Sequence, residues 1–140
     1  MPFQDDLALG EQYQSKLLDL IEWDSYEMAQ GRFKAWDVKI VHDGETVTFE
    51  VKADRRAVST KNLAIEFSCN GVPSGIASTE ADYWVYFIIG TNTYYLMPTN
   101  VIRRAIEQKQ YKRTVCGGDG NRASMYLFPL EIFAPHCEVF

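Results

Sequence analysis

The sequence has no long hydrophobic run. The longest, such as Trp84 to Ile89, fall far short of the roughly 20 apolar residues that a bilayer-spanning helix needs, so no membrane span is expected. It opens Met1-Pro2-Phe3-Gln4-Asp5-Asp6, with neither a basic nor an apolar leader region, which predicts no secretory signal and a cytoplasmic setting. Cysteine is scarce: Cys69, Cys116 and Cys137 are widely separated, form no Cys-x-x-Cys pair and leave one thiol over in any disulfide scheme, which fits a reducing compartment. With only two histidines besides, four suitably spaced zinc ligands cannot be assembled. The glycine-bearing stretches Ser74-Gly75 and Gly117-Gly118-Asp119-Gly120 lack the Gly-Lys-Ser/Thr of a nucleotide-binding P-loop, so an NTPase is excluded. Repeats, low-complexity tracts and linkers are also absent, and the length of 140 residues leaves room for one core, giving a single domain over residues 1–140.

What is present is an ordinary folding composition with polarised charge. Hydrophobic residues make up 46% and charged residues 24%, which excludes disordered and supercharged classes. The net charge of −5 argues against a simple polyanion binder, but residues 1–30 carry seven acids (Asp5, Asp6, Glu11, Asp19, Glu22, Asp24, Glu27) against Lys16 alone. Residues 101–122 reverse this, with Arg103, Arg104, Lys109, Lys112, Arg113 and Arg122 against Glu107 and Asp119. A chain polarised in this way can offer one cationic face to phosphates.

The hydrophobic periods alternate between helix and strand. Leu7, Tyr13, Leu17, Leu18 and Ile21 form a helical stripe over about residues 6–22, with Asp5 or Asp6 as N-cap. From Asp37 the period becomes two: Val38, Ile40, Val47, Phe49 and Val51 alternate with polar residues around Asp43-Gly44, which predicts a hairpin. Leu63, Ile65 and Phe67 continue the alternation, and a short helix or turn is expected near Ser78–Asp82. Tyr83–Ile89 reads as a buried central strand, and Thr93–Met97 as the strand that returns beside it. Thr99 is expected to cap a second helix that buries Val101, Ile102, Ala105 and Ile106, followed by a loop over Cys116–Asn121 and a last strand at Met125–Leu130. The three tryptophans, eight tyrosines and eight phenylalanines are assigned mainly to packing, since Trp84, Tyr86 and Phe87 fall in the core strand.

A two-residue turn at Asp43-Gly44 pairs His42 with Glu45, and counting back brings Asp37 opposite Glu50. Directly opposed side chains have Cβ atoms about 4.5–5.5 Å apart, a range at which like charges repel. Two offsets are open. A divalent cation such as Mg²⁺, which takes carboxylate oxygens at about 2.1 Å, would lie between the acids with Lys52 alongside. Alternatively, Lys39 and Lys52 neutralise the acids on a solvated sheet face.

The ordered set Asp37, then Glu50-Val51-Lys52 after a hairpin, with Glu11 on a preceding helix, resembles the PD-(D/E)xK nuclease superfamily. The resemblance covers about residues 6–90 in α-β-β-β order, and the spacing is similar to that of small Holliday junction resolvases and phage endonucleases. Trp36 stands where the motif has proline. The resemblance implies a restriction-endonuclease-like α/β fold, a mixed central sheet flanked by helices with an αβββαβ-type core and a C-terminal extension. It further implies a metal-dependent DNA endonuclease, bacterial or phage-encoded. Asp37, Glu50 and the backbone carbonyl of Val51 would hold Mg²⁺, with Mn²⁺ as substitute; Lys52 would activate the attacking water, and Glu11 would complete the site. Phosphodiester hydrolysis needs a nucleophile near neutral pH and relief of charge on the phosphoryl oxygens, and a metal with a lysine meets both needs.

Arg55, Arg56 and Lys61 follow the motif strand, and Arg103 and Arg104 lie on the second helix; these are the expected DNA contacts, each set against the alternative of a solvated basic surface. Glu66, an acid within the strand of Leu63, Ile65 and Phe67, either supports the metal site from outside or pairs with Lys52 or Lys61. A homodimer is expected if branched DNA is the target, because cutting a junction takes two sites related by a two-fold axis. The competing expectation is a nucleic-acid-binding module of the same fold without turnover.

Overall fold

Residues whose apolar side chains alternate build two sheets rather than one. The computed structural model describes the backbone of residues 2–31, 35–117, 120 and 122–140, with side chains from residue 9 onward within those ranges. The elements are α1 (Pro2–Leu20), β1 (Ser25–Met28), β2 (Val38–His42), β3 (Glu45–Asp54), α2 (Ala57–Thr60), β4 (Asn62–Cys69) and β5 (Val72–Pro73). A 3-10 turn at Gly75–Ala77 leads to β6 (Tyr83–Ile88), β7 (Thr93–Pro98), α3 (Thr99–Glu107), β8 (Arg113–Gly117) and β9 (Ala123–Pro129). A second 3-10 stretch, Leu130–His136, precedes β10 (Cys137–Val139). No helix among the described residues is long and apolar enough to cross a membrane.

The larger sheet runs β1-β2-β3-β6-β7-β10, and the smaller β5-β4-β9-β8. All pairings are antiparallel except β3 with β6. A parallel pair cannot be closed by a hairpin, and residues 55–82 supply the crossover, carrying α2, β4, β5 and the first 3-10 turn out to the smaller sheet and back. One face of the large sheet (Val38, Ile40, Phe49, Val51, Val85, Phe87) is buried under Leu17 of α1, with Tyr13 and Leu20 packed alongside. The opposite face (Trp84, Tyr86, Ile88, Met97) packs against Leu63 and Ile65 of β4, Phe128 of β9 and Ile102 of α3. Because β6 is covered on both faces, its sequence is continuously apolar and aromatic.

The mixed sheet flanked by helices, the hairpin, the central strand and the second helix are where the sequence puts them. Several details differ. Four strands have no alternating signal and are not anticipated: β1, which is exposed along the sheet edge, the two-residue β5, and the short β8 and β10. The Leu63–Phe67 alternation is a strand, but in the smaller sheet. The helical turn expected near Ser78–Asp82 forms earlier, at Gly75–Ala77, because Ala77 N–H reaches the Ser74 carbonyl at 3.0 Å. Thr99 does not cap α3; Pro98 holds the cap position, and the buried Thr99 hydroxyl donates to the Ala81 carbonyl at 2.6 Å. Asp5 and Asp6 fall within α1 rather than ahead of it, and their side chains lie outside the described residues. Of the expected Cys116–Asn121 loop, Cys116 and Gly117 belong to β8, while residues 118, 119 and 121 lie outside the described residues.

Candidate active site

The hairpin has the expected register: Val38↔Phe49, Lys39↔Thr48, Ile40↔Val47, Val41↔Thr46 and His42↔Glu45. Asp43 and Gly44 form the turn with φ of 51° and 79°, the double left-handed conformation of a type I′ turn, which matches the twist of the flanking strands. Asp37 stands one residue beyond the ladder. Its N–H donates to the Phe49 carbonyl at 2.9 Å, and its Oδ2 accepts the Val51 N–H at 2.8 Å, so its carboxylate takes the place of a ladder partner at the end of β2. This brings the carboxyls of Asp37 and Glu50 into hydrogen-bonding contact on the face turned away from α1. Both acids are buried, at 6% and 9% exposure.

Three further groups surround Glu50. Lys52, half-buried two residues along the same face, favours its ionised form, and the Lys52 Nζ lies 5.9 Å from the centroid of the Trp84 ring. Trp84 is fully buried and is the β6 residue registered against Glu50. From the side, the buried Thr79 donates its hydroxyl to Glu50 Oε1 at 3.2 Å. Burial is the main force on the Glu50 carboxyl, followed by the hydrogen bond and negative charge of Asp37. Lys52 and Thr79 oppose them only in part, and the group is pushed up to about 8. The two acids therefore hold a proton between them near neutral pH. Their hard oxygen donors, crowded together in a buried place with one cationic side chain beside them, fit a divalent ion of the Mg²⁺ or Mn²⁺ type.

This has a measurable consequence for stability. In the unfolded chain Glu50 ionises near its ordinary value of 4.5, whereas the folded chain keeps the proton up to about 8. Between these values the native state binds more protons, so stability is greatest on the acidic side and falls as pH rises through the window. Urea denaturation of metal-free protein from about pH 5 to about pH 9 is expected to show a loss on the order of 3 kcal/mol that Glu50→Gln removes. A flat profile in the parent chain would refute the shared proton.

The remaining expected residues are distributed as follows. Glu11 is not brought to the pair. It is exposed on α1, two residues before the inward-facing Tyr13 and so roughly 160° around the helix from it, and α1 covers the other face of the sheet. Val51 buries its side chain toward α1 and gives its N–H to Asp37. Arg55 and Arg56 are exposed just past β3, where Asp54 Oδ1 accepts the N–H groups of Arg56 and Ala57 and turns the chain. Lys61 is exposed at the left-handed end of α2. Arg103 reaches inward, its Nη2 donating to the Thr79 carbonyl at 3.1 Å, whereas Arg104 lines a separate cleft with Gln108, Phe133 and His136. The Glu66 carboxylate accepts the Ser74 hydroxyl at 2.8 Å. Lys39 lies 3.7 Å from Glu27 and over the Trp36 ring, which directs it away from the two acids. A second group of ligand-type atoms, on Asp24, His42 and Asp43, lies within 4.8 Å at the turn end of the hairpin, where His42 also approaches Glu22.

Nothing in the sequence singles out Thr79. It sits in Ser78-Thr79-Glu80-Ala81-Asp82, which reads as an ordinary polar turn, and no local pattern links it to Glu50.

No protein-family model matches this chain, and no curated protein matches it in sequence. Solved structures do match. A bacterial homing endonuclease, I-Ssp6803I, is similar over 70% of this chain and 70% of its own, with a TM-score of 0.54 and 16% identity. Hjc, a Holliday junction resolvase from the archaeal hyperthermophile Archaeoglobus fulgidus, is similar over 90% of this chain and 93% of its own, with a TM-score of 0.51 and 13% identity. The fold of this chain is thus the restriction-endonuclease-like α/β fold that its Asp37 and Glu50-Val51-Lys52 pattern implies.

Proposed function

We propose that this chain is a metal-dependent endonuclease that hydrolyses phosphodiester bonds in DNA, acting as a single domain in the cytoplasm of a bacterial cell, on branched DNA or in phage DNA processing. The observation that carries this reading is the buried contact of Asp37 with Glu50, with Lys52 on the same strand face, in a fold shared with a homing endonuclease and a junction resolvase. Asp37, Glu50 and the Val51 carbonyl would hold Mg²⁺ or Mn²⁺. The bound ion supplies Lewis-acid polarisation of the phosphoryl oxygen and a more acidic water. Lys52 would orient the attacking water and offset charge that develops on the phosphoryl oxygens. Asp37 fixes the middle of β3 through the Val51 N–H, so the same contact that positions one acid aligns the backbone beside the next. Arg55, Arg56, Lys61, Arg103 and Arg104 supply exposed positive charge for the DNA backbone. Cutting both sides of a junction would take a homodimer.

Incubation of single-stranded, duplex, flapped and four-way DNA with Mg²⁺ is expected to give product from at least one form, and none with EDTA. Salt-sensitive binding with no product under any divalent ion would favour a binding module of the same fold instead. Indifference to both DNA and divalent ions would exclude either reading.

A further inference from the structure

We infer that Thr79 is a positioning residue for the cation site: its hydroxyl fixes the Glu50 carboxylate, and Arg103 braces it from α3. This rests on the reading of Asp37 and Glu50 as cation ligands. Thr79 is 5% exposed, and its Oγ1 accepts the Ala81 N–H at 3.2 Å, which leaves the single hydroxyl proton to be donated. Of the two acceptors within reach, Glu50 Oε1 at 3.2 Å is nearer than the Ala35 carbonyl at 3.4 Å. A carboxylate that accepts one directed hydrogen bond has fewer rotamers to lose when it takes up an ion, and such outer partners are usual around metal-binding carboxylates.

The segment around Thr79 is built to stay in place. Glu80 N–H donates to the Ala35 carbonyl at 2.9 Å, two residues before Asp37. Asp82 is bonded to Thr48, two residues before Glu50, through N–H to carbonyl at 3.0 Å and Thr48 N–H to Oδ2 at 2.9 Å. On the far side, Arg103 Nη2 donates to the Thr79 carbonyl at 3.1 Å. One short segment therefore ties together the two chain stretches that carry the acids and the helix that carries a basic surface. A single residue, Thr79, separates the exposed arginine from the buried carboxylate.

The test is Mn²⁺ affinity, measured by electron paramagnetic resonance on the full chain, with thermal unfolding as the folding control. Thr79→Val, which keeps the shape and removes the hydroxyl, is expected to weaken Mn²⁺ binding by about 10-fold. Thr79→Ser is expected to restore affinity to the parent level. Thr79→Ala adds no bulk and is expected to match valine, so it carries the measurement should the valine variant not fold. Parent-like affinity in a folded variant without the hydroxyl, or an equal loss in the serine variant, overturns the positioning role while leaving the cation site standing. Failure of the parent chain to bind Mn²⁺ overturns both.

Discussion

Lys52→Ala is expected to lower Mg²⁺-supported DNA cleavage by about 10³-fold while the chain still folds. Two effects act in the same direction. Removing the ammonium withdraws the group that would orient the water and offset transition-state charge. It also withdraws the one named cationic influence that favours ionised Glu50, so the shared proton is held more tightly and a cation must displace it at greater cost. Little structural loss accompanies this, because Lys52 is only half-buried and its ammonium lies 5.9 Å from the Trp84 ring centroid, a contact worth about 1 kcal/mol. A melting curve close to the parent's, with cleavage at background, is the expected pair of results. Undiminished cleavage would remove Lys52 from the mechanism, and with it the analogy that assigns Glu50 its task. Lys52→Arg is a useful companion: it keeps the charge but replaces a compact donor with a planar fork, and should recover only part of the rate.

The parts of this site that can be read from sequence are those set by local geometry. A two-residue turn at Asp43-Gly44 fixes every pair in the hairpin, so the meeting of Asp37 with Glu50 follows from counting, even though Asp37 in fact meets Glu50 from one residue past the last ladder pair. The helical stripe of Tyr13 and Leu17 likewise determines which side of α1 is buried, and the same period turns Glu11 outward; what it cannot say is which face of the sheet the helix covers. Strand alternation at Leu63 and Ile65 identifies a half-buried strand but not its sheet, since either placement buries the same side chains. Ser25–Met28 escapes notice because an exposed edge strand needs no alternation. Thr79 is illegible for a different reason. Its role is created by bonds to Ala35, Glu50 and Arg103, which are remote in sequence and meet only once the parallel β3–β6 crossover has closed.

Gly75→Ala is expected to cost about 4 kcal/mol of stability, more than a surface turn residue should. Gly75 has φ of +52°, where a side chain is disfavoured, but the larger obstacle is steric. A Cβ at this position would lie 2.8 Å from the carbonyl carbon of Glu66, closer still to its oxygen, and 3.1 Å from its Cβ. These are mainly backbone atoms of β4, pinned by its ladder with β9, so no flexible side-chain end can swing aside. Relief requires moving Gly75 itself, and that residue is bonded on both sides. Its carbonyl accepts the N–H groups of Ser78 and Thr79 at 3.1 and 2.9 Å, Ser74 before it is held by Phe67 and Glu66, and Ile76 after it is buried. Gly71→Ala is the control: φ there is also positive, at +77°, but a Cβ would meet nothing within 4 Å, so only the conformational cost of about 1 kcal/mol applies. Urea denaturation of the two variants separates the terms, and equal losses would mean that the approach of the turn to β4 is looser than described. Because Gly75 carries the Thr79 N–H, its displacement should also weaken Mn²⁺ binding, an effect Gly71→Ala should not share; the energetic and functional consequences of this one glycine are therefore expected to appear together.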